Sequence, residues 1–251
     1  MLKICLMMMM VIGTLQAGLV EDMKEGAIAQ DGVEVKYRWT RIGKGENPAM
    51  LLFLHGAGER GANNKAQLRH GVPEILAWLE KNGENCVVLA PQCPIGMWWA
   101  NFEGKYSGKA NLKIKGEMSP PMALVQEVFG KLAEQEGADA QRFYVTGLSM
   151  GGMGTFDLLA RFPQKFAAAI PICGATDVRE AKKYHEVPLW VFHGDADGAV
   201  PVDHSRKVIE ALKEAGGEPK YTEYPGVGHN SWTQTYRNDE VLAWLFTQKK
   251  D

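Results

Sequence analysis

The residues best suited to chemistry form the run Gly147-Leu148-Ser149-Met150-Gly151, a G-x-S-x-G pattern that follows an apolar segment and precedes a helical periodicity. A serine on a tight strand-to-helix turn projects its hydroxyl above a sheet edge, and small flanking residues let the chain bend there without clashes. An alcohol is a weak nucleophile until a base accepts its proton, so this reading demands a histidine held by a third group. His229, in Gly228-His229-Asn230, is the best base. Of the others, His70 and His204 fall on helix patterns and His185 in a polar loop. His55 and His193 stand at His-Gly strand ends, where a structural hydrogen bond is the simpler role. Asp197 is the preferred acid, with Asp195 as the alternative that also suits a turn. Asp203 suits the first turn of the next helix.

Negative charge developing in acyl transfer calls for two backbone N–H donors. Met150, directly after the serine, provides one, and Ala57 in His55-Gly56-Ala57-Gly58 provides the other. The same loop reads Gly56-Ala57-Gly58-Glu59-Arg60-Gly61, a literal G-x-G-x-x-G after a strand, which is the dinucleotide-binding pattern. Against that remote alternative, the next strand ends in Ala90-Pro91-Gln92-Cys93 with no acid to hold a ribose. No organic cofactor is expected. No metal is expected either, since no CxxC pair occurs and Asp195-x-Asp197-Gly lacks the closing Glu of a calcium loop. Trp98, Trp99 and Trp232 adjoin the expected site and suit a platform for a sugar or aromatic acyl group, although Trp98 or Trp99 fits the core equally well. Arg60 is a candidate for a substrate carboxylate, or forms a structural pair with Glu59.

These residues need a scaffold that brings distant segments to one edge. Apolar runs bounded by Gly, Pro and Asn at 33–40, 50–56, 85–93, 142–147, 166–174, 188–194 and 221–226 read as strands. Helix-period segments at 67–81, 120–135, 150–162, 202–215 and 239–248 fall between most of them. Such alternation predicts an α/β domain with a mostly parallel sheet covered on both faces. The alternating pattern of 33–40 suits an antiparallel edge. Ser119, Asp197 and His229 all follow or precede these elements at loops, and the long connection 101–121, with Lys105, Lys109, Lys113 and Lys115, reads as a lid or a solvated excursion.

The chain has 251 residues, enough for one sizeable domain, and its 28 Lys plus Arg nearly balance 30 Asp plus Glu. A formal net charge of −2 gives no electrostatic footprint for nucleic acid. Lys3, the apolar run from Ile4 to Leu15 and Ala17 read as a signal peptide over residues 1–17, leaving a catalytic domain at 18–251 in a secreted or periplasmic protein. The run is shorter than the ~20 apolar residues of a membrane span, so no membrane partner is expected. Loss of Cys5 with the leader leaves Cys86, Cys93 and Cys173, which permit one disulfide and one free thiol.

The runs LHGAGERG, LAPQCP, GLSMGGMGT, PICG, HGDADGAVP and GVGHNSW, in this order, resemble the secreted α/β-hydrolase esterases. These are related to feruloyl esterases, polyhydroxybutyrate depolymerases and predicted peptidases of prolyl-oligopeptidase type. The resemblance implies the α/β-hydrolase fold, Ser149, Asp197 and His229 as a triad, and Ala57 and Met150 as oxyanion donors. It implies a serine carboxylesterase acting through an acyl-enzyme on small-molecule or polysaccharide-linked esters, such as acetyl or feruloyl groups of plant polysaccharide. A serine peptidase with the same machinery is the alternative, and a non-catalytic binding module a remote one.

Overall fold

The computed structural model describes residues 18–103 and 112–250. The expected leader 1–17, and Lys105 and Lys109 of the long connection, lie outside the described residues. The strands are β1 (Lys24–Gln30), β2 (Val33–Ile42), β3 (Ala49–Leu54), β4 (Cys86–Gln92), β5 (Phe143–Leu148), β6 (Ala168–Ile172), β7 (Trp190–Gly194) and β8 (Lys220–Tyr224). The helices are α1 (Val72–Asn82), α2 (Pro120–Glu136), α3 (Met150–Arg161), α4 (Ala181–Tyr184), α5 (Asp203–Glu214), α6 (Trp232–Tyr236) and α7 (Asp239–Thr247).

All eight strands join one sheet in the order β1-β2-β4-β3-β5-β6-β7-β8. The pairs β1–β2 and β2–β4 are antiparallel, and every pair from β4 to β8 is parallel. The chain therefore has the α/β-hydrolase fold expected from its motifs. One placement is corrected. The edge lies at β1, and β2 sits inside it between β1 and β4. Strand β1, KEGAIAQ, is mostly exposed, so it lacks the apolar run that marks the others. Its hairpin does carry a signal, because Asp31 (φ 50°) and Gly32 (φ 79°) both take the left-handed values of a two-residue hairpin turn.

Alternate residues of the central strands feed two cores, as the two-residue period of a strand requires. Met50, Leu52, Leu54, Val87, Leu89 and Val145 face the layer containing α2, α3 and α5. Leu51, Phe53, Val88 and Tyr144 face α1 and α7. Each fully buried side chain of this kind contributes roughly 1.5–3 kcal/mol through removal from water. The predicted helix at 67–81 starts only at Val72, because Gly71 is in a positive-φ conformation (79°) and Pro73 fixes the first turn. Helix α2 begins as its sequence implies, with the Ser119 hydroxyl accepting from the Met122 N–H.

The described ends of the long connection are tied down. Phe102 bridges Ile114, and the Arg161 guanidinium donates to the carbonyls of Lys115, Gly116 and Glu117. Cys86, Cys93 and Cys173 are all buried and free, so the disulfide that the sequence permits is not formed among them. No helix of the described residues is long and apolar enough to cross a membrane.

Candidate active site

Four strand ends, those of β3, β5, β7 and β8, carry the components of the site along the carboxyl edge of the sheet. Strand β5 ends at Leu148 and α3 begins at Met150, so Ser149 alone makes the turn, at φ 54° and ψ −114°. A non-glycine residue in such a conformation stores on the order of 1–3 kcal/mol, and the surroundings must hold it there. They do: the Ser149 N–H donates to the Ile172 carbonyl at 2.9 Å, and the Met153 N–H donates to the Ser149 carbonyl at 3.0 Å. Helix α3 approaches β3 so closely that a Cβ on Gly151 would lie 1.8 Å from the Leu54 carbonyl oxygen. The glycines of this stretch thus serve close backbone approach.

His229, in the loop after β8, places Nε2 2.9 Å from Ser149 Oγ. Its Nδ1 lies 2.7 Å from Oδ2 of Asp197, in the loop after β7. A carboxylate only accepts, so Nδ1 carries the proton and Nε2 is left to accept from the serine hydroxyl. The Asp197 side chain is buried, whereas His229 is 28% exposed. Burial alone would raise the Asp197 pKa. Hydrogen bonds from His193, His229 and the N–H groups of Val200 and Ala199 instead hold it well below the ordinary carboxylate range. The acid is therefore an anion at any working pH, and it favours a positive charge on His229 when the base takes up a proton. Asp195 is used elsewhere, since its Oδ1 accepts from the Gly226 N–H at 2.7 Å in the turn.

Met150 and Ala57 each head a helical turn, where the first N–H groups have no acceptor within the helix. Their place at the start of a helical turn suits the donor role expected of them. The Ala57 loop is braced from three sides. Arg60 donates through Nε to the Ala57 carbonyl (2.9 Å) and through Nη1 to that of Met97 (3.3 Å). His55 donates from Nδ1 to the Gly56 carbonyl (2.6 Å) and accepts the Cys93 N–H at Nε2 (2.9 Å). Trp99 donates from Nε1 to the His55 carbonyl at 3.1 Å.

These contacts revise several expectations for substrate residues. Trp99 is fully buried and supports the loop from beneath, so it offers no face to a substrate. Arg60 spends two of its nitrogens on loop carbonyls and stacks over Trp98 at 5.6 Å, which makes it a clamp first. The anticipated Glu59–Arg60 pair is replaced by Glu59 beside His70, at 3.9 Å. Trp232 does reach the site, edge-on to His229 with ring centroids 5.4 Å apart and 5.8 Å from His70. The G-x-G-x-x-G segment opens only a three-residue 3-10 turn, Ala57–Glu59, not the long helix of a dinucleotide site.

Two neighbours of the site were not assigned to it from sequence. Cys173, after β6, holds an unusual φ of 40°, and burial pushes its thiol up to about 12. One ligand atom each from Cys173, Asp197 and His229 fall within 4.8 Å of one another, the one metal-competent grouping among the described residues. Asp197 and His229 already bind each other and the thiol stays protonated, so this grouping is part of the Ser149–His229–Asp197 cluster. His193 makes the structural hydrogen bonds its position suggests, and it also comes within 3.2 Å of Asp197 Oδ2.

Residues 39–238 match the phospholipase/carboxylesterase family. Acyl-protein thioesterase 1 of Gibberella zeae is 27% identical over 228 residues, covering 81% of this chain and 92% of its own length. A thermostable esterase of known structure is 36% identical with a TM-score of 0.83; the match covers 92% of this chain and 64% of the esterase, so this chain spans under two thirds of it. A ferulic acid esterase, 16% identical with a TM-score of 0.68 over 90% of this chain and 98% of its own, shares the fold.

Proposed function

Because the chain belongs to the phospholipase/carboxylesterase family and is a serine hydrolase, we propose that Ser149, His229 and Asp197 hydrolyse carboxylic esters through an acyl-enzyme. The observation that carries this reading is the continuous chain from Ser149 Oγ to His229 Nε2 (2.9 Å) and from His229 Nδ1 to Asp197 Oδ2 (2.7 Å). Ser149 Oγ attacks the ester carbonyl carbon while His229 Nε2 takes its proton. The tetrahedral oxyanion rests against the N–H groups of Ala57 and Met150. Collapse expels the alcohol, which leaves with the proton from His229, and the acyl group stays on Ser149. Water then enters, gives its proton to the same imidazole, attacks the acyl carbon, and returns the serine hydroxyl as the acid departs.

For the substrate, we propose acetyl or hydroxycinnamoyl esters of plant polysaccharide. The half-buried Trp98 and the Trp232 ring beside His229 suit a sugar or an aromatic acyl group, and the fold shared with a ferulic acid esterase is consistent with that class. The similarity to an acyl-protein thioesterase supports a second reading, hydrolysis of acyl thioesters by the same residues. Export through residues 1–17 places the enzyme outside the cytoplasm under the first reading.

One assay separates them. Purified protein is compared on acetylated xylan, feruloylated oligosaccharide, methyl ferulate and an S-palmitoyl peptide, with Ser149→Ala as background. The first reading expects kcat/KM on the polysaccharide esters to exceed that on the thioester by tenfold or more. The reverse order establishes the second. Cell fractionation tests export, and retention of the uncleaved chain in the cytoplasm contradicts it.

A further inference from the structure

His193 stands at the end of β7, four residues before Asp197, and is fully buried. Its Nε2 lies 2.8 Å from the Val200 carbonyl, which can only accept, so Nε2 carries the proton. Nδ1 is then an acceptor, and at 2.7 Å it meets the hydroxyl of Ser205, itself fully buried in the first turn of α5. The tautomer is thus set by two neighbours on opposite sides of the ring. The same Nε2 is 3.2 Å from Asp197 Oδ2, the oxygen that also receives His229.

The remaining oxygen, Oδ1, accepts from the N–H groups of Ala199 (2.8 Å) and Val200 (2.9 Å). An aspartate carboxylate rotates about a broad, nearly two-fold torsion, so fixing one oxygen alone leaves its plane soft. Donors on both oxygens fix that plane. Four donors also divide the negative charge, and only one of them is the base.

We propose that His193 is a positioning residue for hydrolysis: held by Ser205, it shares its one Nε2–H between the Val200 carbonyl and Asp197 Oδ2, adding a weak second donor to the oxygen that receives His229 and limiting how strongly Asp197 grips the His229 imidazolium. The proposal rests on Asp197 and His229 acting as the acid–base pair. It extends the working chain to Ser205–His193–Asp197–His229–Ser149. The other ionisable groups facing it are Cys173, near Asp197 and His229, and Glu223, which pairs with His193 across β7–β8 and is itself bound by Arg206.

His193 touches neither substrate nor reacting atoms, so its effect must pass through His229. Deleting the Nε2–H donor leaves more of the Asp197 charge for His229 and makes the imidazolium harder to deprotonate. The acid limb of the kcat/KM profile then moves to higher pH, and kcat falls because Oδ2 loses the neighbour that sets its position against His229. A residue that merely stabilises the fold would lower the yield of active enzyme and leave that limb in place.

The test uses His193→Phe, which keeps a ring and removes the donor, and His193→Gln, whose side-chain amide returns an N–H near the Nε2 position. With nitrophenyl acetate, His193→Phe is expected to lower kcat about tenfold or more, leave KM within about twofold, and raise the acid limb by ~0.5 pH unit. His193→Gln is expected to restore the limb. Should His193→Phe fail to fold, Ser205→Ala serves, because it frees Nδ1 and is expected to shift the limb the same way by a smaller amount. An unmoved limb in the folded donor-deleting variants, or equal limbs in the Phe and Gln variants, overturns the proposal. Failure of the parent reading is distinguishable, since it appears in wild-type background as turnover that survives Ser149→Ala.

Discussion

Ser149, His229 and Asp197 are joined by hydrogen bonds of 2.9 and 2.7 Å in which only one tautomer of His229 works. Asp197→Asn would present an amide that favours the wrong tautomer, and ester kcat is expected to fall by about 10³–10⁴-fold while KM changes little. Steady-state kinetics at saturating nitrophenyl acetate check this. His55 gives a different kind of prediction. Burial, helped by the nearby Arg60 charge and opposed by the hydrogen bond to the Gly56 carbonyl, lowers its pKa to about 4. The unfolded chain, with an ordinary histidine near 6.5, binds the proton first, so this contribution is complete above pH 6.5 and is lost as pH falls toward 4. Between pH 7.5 and 5 the loss is about 2 kcal/mol. Urea denaturation at pH 7.5 and pH 5 measures it, and His55→Gln should flatten the difference. Ser149, Asp197 and His229 were legible because each follows a strand and carries a short, chemically specific neighbourhood. Trp99 and His193 were not, because a side chain's direction at a strand end is decided by tertiary packing.

At the scale of elements, the Ala57 loop and the serine turn are held by contacts that sequence patterns do not display. Arg60 fastens the loop through two carbonyls, so Arg60→Ala is expected to lower kcat about tenfold with a smaller change in KM. Arg60→Lys should recover little, because an ammonium cannot span both carbonyls as the guanidinium does. Helix α3 is set by its glycines. In Gly151→Ala the methyl would collide with the Leu54 carbonyl, and the variant is expected to be insoluble or to lose more than about 3 kcal/mol in chemical denaturation. Helices and central strands were readable from period and punctuation, since Ser119, Gly137 and the apolar runs fall at real boundaries. The exposed β1 and the short α4 and α6 were not, because they bury too little apolar surface to leave a pattern. Asp31-Gly32 was the one local cue to β1.

Across the whole molecule, two cores clamp the sheet and bury Cys86, Cys93 and Cys173. Burial raises all three thiols, Cys93 and Cys173 to about 12, so none is a thiolate at neutral pH. A chromogenic disulfide reagent should label none of them in the native protein and all three in 6 M guanidinium. Native labelling would mean that the cores open readily. The sheet's purpose is to carry Ser149, Asp197 and His229, up to 80 residues apart in sequence, to one edge. That convergence is tested most directly by intact-mass and peptide-level mass spectrometry after rapid acid quench of the enzyme with nitrophenyl acetate. One acetyl group per chain is expected, on the peptide bearing Ser149 and absent from Ser149→Ala. An acetyl group on another residue, or full turnover by Ser149→Ala, would contradict it.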